Sequence, residues 1–502
     1  MSKLRSLSGL LNAADLPAPA ELDGVMVRNL RLDSRQIGKD DCFLALSGSK
    51  LDGMAFAADA VGRGAVAIVT DATDAKTVKK PSGVPIVFQS DLRRHTGALF
   101  DALHGFPSRR LDAYGVTGTN GKSTTTRLIT GVLRAAGRKV ISLGTIHYEI
   151  GDEILDSQLT TPSPDALFDL LQRGVEKGCD ALAMEVSSHS LSQDRVRGLK
   201  FKRAIFTNLT QDHFDFHSGF EDYFAAKKKL FTEYMTEDGV GVINLDTPFG
   251  IRLLEEWKGP RVTFSRGETP EGRAADVVLR RQELSLSGSR LTVSHKGHEF
   301  EISSRLIGAL NIENLLAAAA FGLSLGLTPD TVAAGVEDVT VPGRNEVFPL
   351  VGGGFAVVDY AHSPDALERV LQSLRPLATG KLWCVFGCGG DRDRSKRPLM
   401  GGIAERLADR VVLTNDNPRN EAPAEILAEI RRGMTRPEAA EIMEDRASAI
   451  KHALESLKPG DCLLIAGKGH ENYQIVAGVR HHFSDQEEIV AWIRAQGAGT
   501  WS

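Results

Sequence analysis

The sequence predicts an α/β protein built of three domains in series. Short apolar runs of strand length alternate with segments of helical periodicity along most of the chain. The alternation restarts twice, near residue 106 and near residue 341, each time after a turn-rich or Pro-Gly stretch. The 502 residues also exceed what one compact domain usually holds.

Residues 22–46, LDGVMVRNLRLDSRQIGKDDCFLAL, alternate apolar and polar positions and read as short strands. FAADAVGRGAVAIV then reads as a helix leading into a buried strand, which makes residues 1–106 a small α/β domain. After GFPSRR, the segment LDAYGVTGTNGKSTTTRLITGVLRAAGRKVISL reads as strand, glycine loop, helix and strand, the strongest βαβ signal in the chain. It opens a central domain, 107–340, with a P-loop ATPase-type parallel sheet, ending in the helical region AAAAFGLSLGLTPDTVAAGVED. Beyond VPGRNE, the runs FAVVDY, KLWCVFG, RVVLTN and DCLLIAG are each followed by a polar or glycine-rich loop and then a helical pattern. That order predicts a Rossmann-like C-terminal domain, 341–502.

Composition excludes several classes of function. Apolar residues are 42% and charged residues 25%, and no stretch approaches the roughly 18 apolar residues in a row of a membrane span. With 60 Lys plus Arg against 65 Asp plus Glu, the formal charge of −5 offers no global basic surface for nucleic acid. Five cysteines in this length do not make a disulfide framework, and the N-terminus lacks an apolar signal region, so a cytoplasmic protein is expected. Cys384 and Cys388 are four apart, but Cys384 lies in LWCVF and reads as a buried strand thiol.

Thr117, Gly118, Thr119, Asn120, Gly121, Lys122, Ser123 and Thr124 lie between the strand and the helix of the βαβ signal. Backbone N–H groups converge in such a loop, and the helix N-terminus favours an anion there. Lys122 would meet the outer phosphates of a nucleotide and the Ser123 hydroxyl would ligate Mg²⁺. The strict G-x-x-x-x-G-K spacing is missed, since Val116 stands six before Lys122 and the glycine is Gly115. DALAMEVSSHS reads as a buried strand ending at Glu185, whose carboxylate would either hold Mg²⁺ or cap a turn. Asp212, His213, Asp215 and His217 crowd a loop after another strand, without the HExxH pattern of a zinc site. The AAKKKLF run reads on its own as a solvated helix face.

Taken together, TGTNGKS, MEVSSH, TNLTQDHFDFH, GALNIENLLAA and PGRNE, in this order and spacing, resemble the Mur ligase family of ATP-dependent amide-forming enzymes. The resemblance runs almost from end to end. It implies that ATP phosphorylates a substrate carboxylate and that an amine displaces the phosphate, with Lys122, Glu185, His213 and Lys227 as catalytic groups. Mg²⁺ would be held by Ser123, Glu185, His213 and Lys227, the last as a carbamate; Lys227 stands three before Leu230, as in the family. Lys228 and Lys229 would be surface charges. Asn311, Asn314, Arg344 and Asp359 would hold the rest of ATP, although by sequence Asn311 and Asn314 serve equally as helix caps. A UDP-N-acetylmuramoyl dipeptide would meet Leu32, Ser34, the Lys50-Leu51-Asp52-Gly53 stretch, Thr160, Thr161, Ser187, Gln193 and Arg195.

DNPR, GGDRDRSKRP and GKGHE resemble the diaminopimelate-adding members of that family. Arg392, Asp416, Asn417, Pro418, Arg419, Gly467 and Glu471 would then bind meso-diaminopimelate. The charge logic agrees: arginines fork carboxylates, and Asp416 and Glu471 take ammonium groups. Lysine lacks the distal carboxylate and would leave Arg419 unpaired. Against this, Arg392 stands among Arg394, Lys396 and Arg397, a run that reads as surface charge. The competing functions are ligation of L-lysine, a folylpolyglutamate synthetase, and a nucleotide switch that forms no amide. The expected state is a monomer with no nucleic-acid partner.

Overall fold

The computed structural model describes residues 3–48, 52–71, 83–214, 216–267, 269 and 272–497. Contacts divide the chain into two compact units, one made mainly of residues up to Phe264 with Ala320–Gly326, the other of Ala274–Ala319 and the chain from Leu327 on.

The first unit opens with strands Leu30–Arg31, Asp41–Ala45, Ala65–Thr70 and Ile86–Phe88, all parallel and adjacent in that order. Helix Ala57–Arg63 runs into Ala65–Thr70 as its sequence predicts, and Phe43, Ile68, Met54 and Ala60 form the core between them. Helix Leu92–Leu103 packs on helix Pro164–Glu176 of the following sheet. The fit beside it leaves no room for a side chain at Gly97, where a Cβ would fall 1.5 Å from the Arg197 carbonyl oxygen.

The second sheet of this unit runs Glu153–Asp156, His147–Ile150, Val140–Leu143, Ala181–Glu185, Asp112–Thr117, Phe201–Phe206, Met235–Asn244, Arg261–Ser265. The last six are parallel and the first two are antiparallel at the edge. The chain enters at Asp112–Thr117, crosses to one side, and returns to build the other. The sheet therefore changes direction beside the glycine loop, and ligands bind at such a switch, outside the carboxyl ends of the strands.

The second unit holds an antiparallel meander, Val277–Ser285, Gly288–His295 and His298–Ser304. A further sheet runs Glu346–Pro349, Phe355–Asp359, Cys462–Ala466, Leu382–Phe386, Arg410–Leu413, Glu441–Ile442, parallel apart from its first strand. The four apolar runs read from the sequence are its central strands. Their runs are continuous because both faces are covered. Helices Pro364–Leu374, Lys396–Leu407 and Pro423–Arg431 fill one side with Leu371, Met400 and Ile430. Helices Arg446–Ser456 and Asp485–Ala495 fill the other with Ile450, Leu454 and Ile489. Cys384 and Cys388 are buried thiols, and Cys388 Sγ lies 3.7 Å from Met400 Sδ.

Two surface readings are corrected. Lys227, in helix Phe220–Thr232, is 1% exposed, because helical periodicity turns one lysine of AAKKKLF inward while Lys228 pairs with Glu256 outside. Arg397 is wholly buried between Glu421 and Glu429. Among the described residues, no helix is long and apolar enough to cross a membrane.

Candidate active site

The glycine loop closes at the carboxyl end of Asp112–Thr117 and passes into helix Lys122–Ala135. Gly118 has φ +153°, and a Cβ there would meet Thr207 Oγ1 at 1.9 Å. That hydroxyl donates to the Asn120 carbonyl at 2.6 Å, while the Asn120 N–H donates to Asn208 Oδ1. Lys122 Nζ donates to the carbonyls of Gly118 and Thr119 at 3.0 and 2.8 Å. Lys227 Nζ donates to the same Gly118 carbonyl at 2.8 Å and sits 4.3 Å over the Tyr223 ring. Burial holds the Lys227 amine well below the usual lysine range, nearby Lys122 adds to this, and Asp212 opposes it.

Glu185 ends the neighbouring strand, buried, and accepts from the Thr145 N–H at 2.7 Å and the Thr145 hydroxyl at 3.1 Å. It therefore does hold a turn, while remaining on the rim beside the loop. Thr161 Oγ1 donates to the Glu185 carbonyl at 2.9 Å and accepts from the Ser187 N–H at 3.1 Å. Arg195 reaches the Thr161 carbonyl and the Gln193 side chain, and Thr160 Oγ1 accepts from Thr145. Thr160, Thr161, Ser187, Gln193 and Arg195 thus gather around Glu185. Ser188 and His217 are linked at 3.0 Å, and the His217 ring lies 4.9 Å from that of Tyr223. The His213 ring lies 6.1 Å from the Tyr223 ring. Glu185, His213 and Lys227 are accordingly parts of one contiguous cluster around the loop.

The second unit forms its own cluster at the carboxyl ends of adjacent strands. Asn417 Nδ2 donates to Asp416 Oδ1 at 3.0 Å and to Glu471 Oε2 at 2.9 Å, so one amide holds two carboxylates. Asp416 Oδ2 and Glu471 Oε1 accept no hydrogen bond from the described residues. Gly467 lies against Asp416, where a Cβ would fall 2.6 Å from Oδ2. Arg419 donates to the Gly390 carbonyl at 2.7 Å, and Gly389 is flanked by Arg419 Nη1 and Arg392 Cγ. The hairpin Tyr473–Val476 and Val479–His482 grips Arg419: its N–H donates to Ile475, and the Ala477 N–H donates to its carbonyl. Buried Arg397 donates to the Gly389 carbonyl, and Arg446, bidentate to Asp485, donates to the carbonyls of Asn415 and Ala466. These two arginines fasten the loops that carry the cluster.

Asn311, Asn314, Arg344 and Asp359 also belong to the second unit. Asn314 Nδ2 donates to Asn311 Oδ1, and Asn311 donates to the Ile307 carbonyl. Arg344 lies 4.7 Å over the Tyr360 ring with its Nε buried and unpartnered. Asp359 accepts from the N–H groups of Asn345 and Ala361, and burial raises its carboxyl above the usual range. Ser34 is buried in the turn Ser34–Gln36 of the opening sheet, with Leu32 half-buried before it. Lys50, Leu51 and Asp215 lie outside the described residues.

Sequence reasoning passed over Tyr223, Thr145, Thr207 and Lys468. Lys468 stands inside GKGHE, yet nothing local marks its side chain as fully buried.

Comparison with known proteins defines the class. Residues 26–95 match the Mur ligase family catalytic domain, 116–322 the Mur ligase middle domain, and 343–469 the Mur ligase glutamate ligase domain. The chain belongs to the Mur ligase family, whose members are ATP-dependent amide-forming ligases. It is 42% identical to the UDP-N-acetylmuramoyl-L-alanyl-D-glutamate–2,6-diaminopimelate ligase of Aquifex aeolicus, over 92% of this chain and 93% of that one. To the ligase of the same name from Synechococcus elongatus it is 43% identical, over 94% and 95%. A solved structure of a ligase with that name aligns at TM-score 0.71 and 31% identity, over 99% and 100%. The fold is shared with a MurF ligase from Thermotoga maritima solved with ADP, at TM-score 0.61 and 19% identity over 94% and 98%.

Proposed function

We propose that this chain joins meso-2,6-diaminopimelate to the D-glutamate of UDP-N-acetylmuramoyl-L-alanyl-D-glutamate, cleaving ATP to ADP and phosphate, in the cytoplasm and as a monomer. The observation that carries the choice of amino acid is the pair of open carboxylate oxygens on Asp416 and Glu471, together with Arg419 and the exposed Arg392, which flank Gly389 at the ends of strands of the same sheet. An amino acid with an ammonium and a carboxylate at each end satisfies both. The relatives' name agrees. Functionally we divide the chain at 106 and 340, into parts that take the nucleotide precursor, ATP and the amino acid.

A carboxylate does not condense with an amine in neutral water. The γ-phosphoryl of ATP passes to the glutamate γ-carboxylate, releasing ADP. The amine then attacks the carbonyl carbon, phosphate leaves, and the amine nitrogen loses its proton. Negative charge gathers at each step, and Lys122 with the loop N–H groups offsets it. Thr160, Thr161, Ser187, Gln193 and Arg195 would bind the peptide end, Leu32 and Ser34 the uridine end, and Asn311, Asn314, Arg344 and Asp359 the adenosine.

The donor set fits Mg²⁺. Among the described residues no three His, Cys, Asp or Glu side chains form a metal cage, and Mg²⁺ prefers one or two carboxylates with phosphate oxygens and water. Ser123, Glu185 and His213 would hold it, where it would neutralise phosphate charge. Lys227, whose burial favours the uncharged amine, is suited to add CO₂ with release of a proton, and the resulting carbamate would serve as a further carboxylate.

Phosphate release with the muramoyl dipeptide, supplied with meso-diaminopimelate or L-lysine in turn, tests the proposal. Dependence on diaminopimelate is expected. Dependence on lysine would overturn the substrate, and hydrolysis indifferent to both would point to a nucleotide switch.

A further inference from the structure

Beneath the paired carboxylates lies a cation that the reaction as described does not use. Lys468 is 0% exposed, and its Nζ lies 3.3 Å from Glu471 Oε2 and 5.4 Å from the centre of the Tyr473 ring. Taking an ammonium out of water is costly unless it is paired, so a buried lysine with one carboxylate partner fixes where that carboxylate stands. Oε2 receives both Lys468 and the Asn417 amide. With that oxygen occupied, the carboxylate plane is set and Oε1 is the oxygen left to meet a ligand.

Charge points the same way. Asp416 and Glu471 share one amide, so their negative charges are held close. Fully buried Arg446 is already committed to Asp485 through a bidentate pair. Lys468 leaves the Asp416–Glu471–Lys468 group with one net negative charge, which matches one incoming ammonium. The lysine sits on the protein side of Glu471, so it shapes the pocket without filling it.

We propose that Lys468 is the positioning residue of the ammonium subsite. It holds Glu471 in register with Asp416 so that their two open oxygens clamp one ammonium of the incoming amino acid. The proposal rests on the reading that the chain ligates meso-diaminopimelate.

The test is a steady-state comparison of full-length variants with all three substrates varied. Lys468→Met is expected to raise KM for meso-diaminopimelate by about tenfold or more, because a misplaced hydrogen-bonding charge loses at least that factor. KM for ATP and kcat at saturation should stay within about threefold. Lys468→Arg should recover part of the loss. In the double variant Lys468→Met/Glu471→Gln neither the Lys468 ammonium nor the Glu471 carboxylate is left without its partner, so it should fold even if the single variant does not. Since Lys468 acts through Glu471, the double variant should lose no more than Glu471→Gln alone. An unchanged KM for diaminopimelate in Lys468→Met, equal changes for all three substrates, or additive losses in the double variant would overturn the proposal. A wild-type chain that forms no product from diaminopimelate would instead overturn the functional reading beneath it.

Discussion

The side-chain nitrogen of Lys227 lies 2.8 Å from the carbonyl oxygen of Gly118. A residue midway along one helix thus touches the turn that opens another, 109 positions earlier. No carboxylate of the described residues lies within ion-pairing distance of it, and burial pushes the amine well below the usual lysine range. A primary amine that gives up its proton more readily than an ordinary lysine is the better nucleophile toward CO₂.

Enzyme stripped of CO₂ should therefore lose most of its ligase activity and regain it with bicarbonate, by a factor of about 10 or more for loss of one charged group at the site. Lys227→Ala should be weak and indifferent to bicarbonate. Stripped wild type that ignores bicarbonate would remove the carbamate role.

The same lysine makes folding stability depend on pH. Unfolded, it binds a proton up to about pH 10, while folded burial expels that proton well below this. Over that interval the unfolded chain holds more protons, so the contribution of Lys227 to stability rises with pH. In bicarbonate-free buffer, the gain in Tm from pH 7 to pH 9 should be larger for the parent than for Lys227→Met. Equal gains would contradict the lowered proton affinity of the buried amine.

Glu149 has the opposite sign. Burial alone would raise its carboxyl, but His147, Arg127 and Arg134 together pull it down to about 2. Its stabilisation is present above the unfolded value near 4.5 and fades as pH falls toward 2. Glu149→Gln should cost about 2 kcal/mol at pH 7, and denaturant titrations should find that gap closing below about pH 4.

Gly97→Ala should destabilise the first unit by about 2–4 kcal/mol, because its methyl would fall on the Arg197 carbonyl and nothing there can yield cheaply. Gly62→Ala, in helix Ala57–Arg63, isolates the packing effect, because open space surrounds the same atom and its φ, like that of Gly97, is not positive. Calorimetry showing equal losses for both would contradict the tight contact.

Arg419→Ala should raise KM for meso-diaminopimelate by about 100-fold and leave weak L-lysine turnover almost unchanged, narrowing the preference. Arg419→Lys should rescue little, since an ammonium does not fork a carboxylate. A uniform fall for both amino acids would show that Arg419 does not read the distal carboxylate.

The parts legible in the sequence were those whose pattern is local. FAVVDY, KLWCVFG, RVVLTN and DCLLIAG are strands because both faces are covered, and TGTNGKS is a loop because strand, glycine and helix follow one another. The meander from Val277 to Ser304 escaped notice, since its strands alternate with exposed charge and Gln282, Glu283 and Arg290 mask the period. Arg397 and Lys468 escaped for another reason. Their partners include Glu421 and Glu429, 24 and 32 positions away, or depend on a loop wrapping over a buried ammonium. No window of the sequence contains that geometry. The Asn417 amide that gathers Asp416 and Glu471 reaches Glu471 across 54 positions, and in the sequence these residues are legible only as a list of charges.

The grip of the Tyr473–His482 hairpin on Arg419 bears on any attempt to exchange amino-acid preference between relatives. The Arg419 backbone belongs by sequence to the DNPR loop but is held by hydrogen bonds to a ribbon more than 50 positions later. Grafting the tetrapeptide alone would carry the letters and leave behind the clasp that aims them. The transferable cassette is loop plus ribbon, and selectivity in such chimeras should follow the ribbon's origin as much as the loop's.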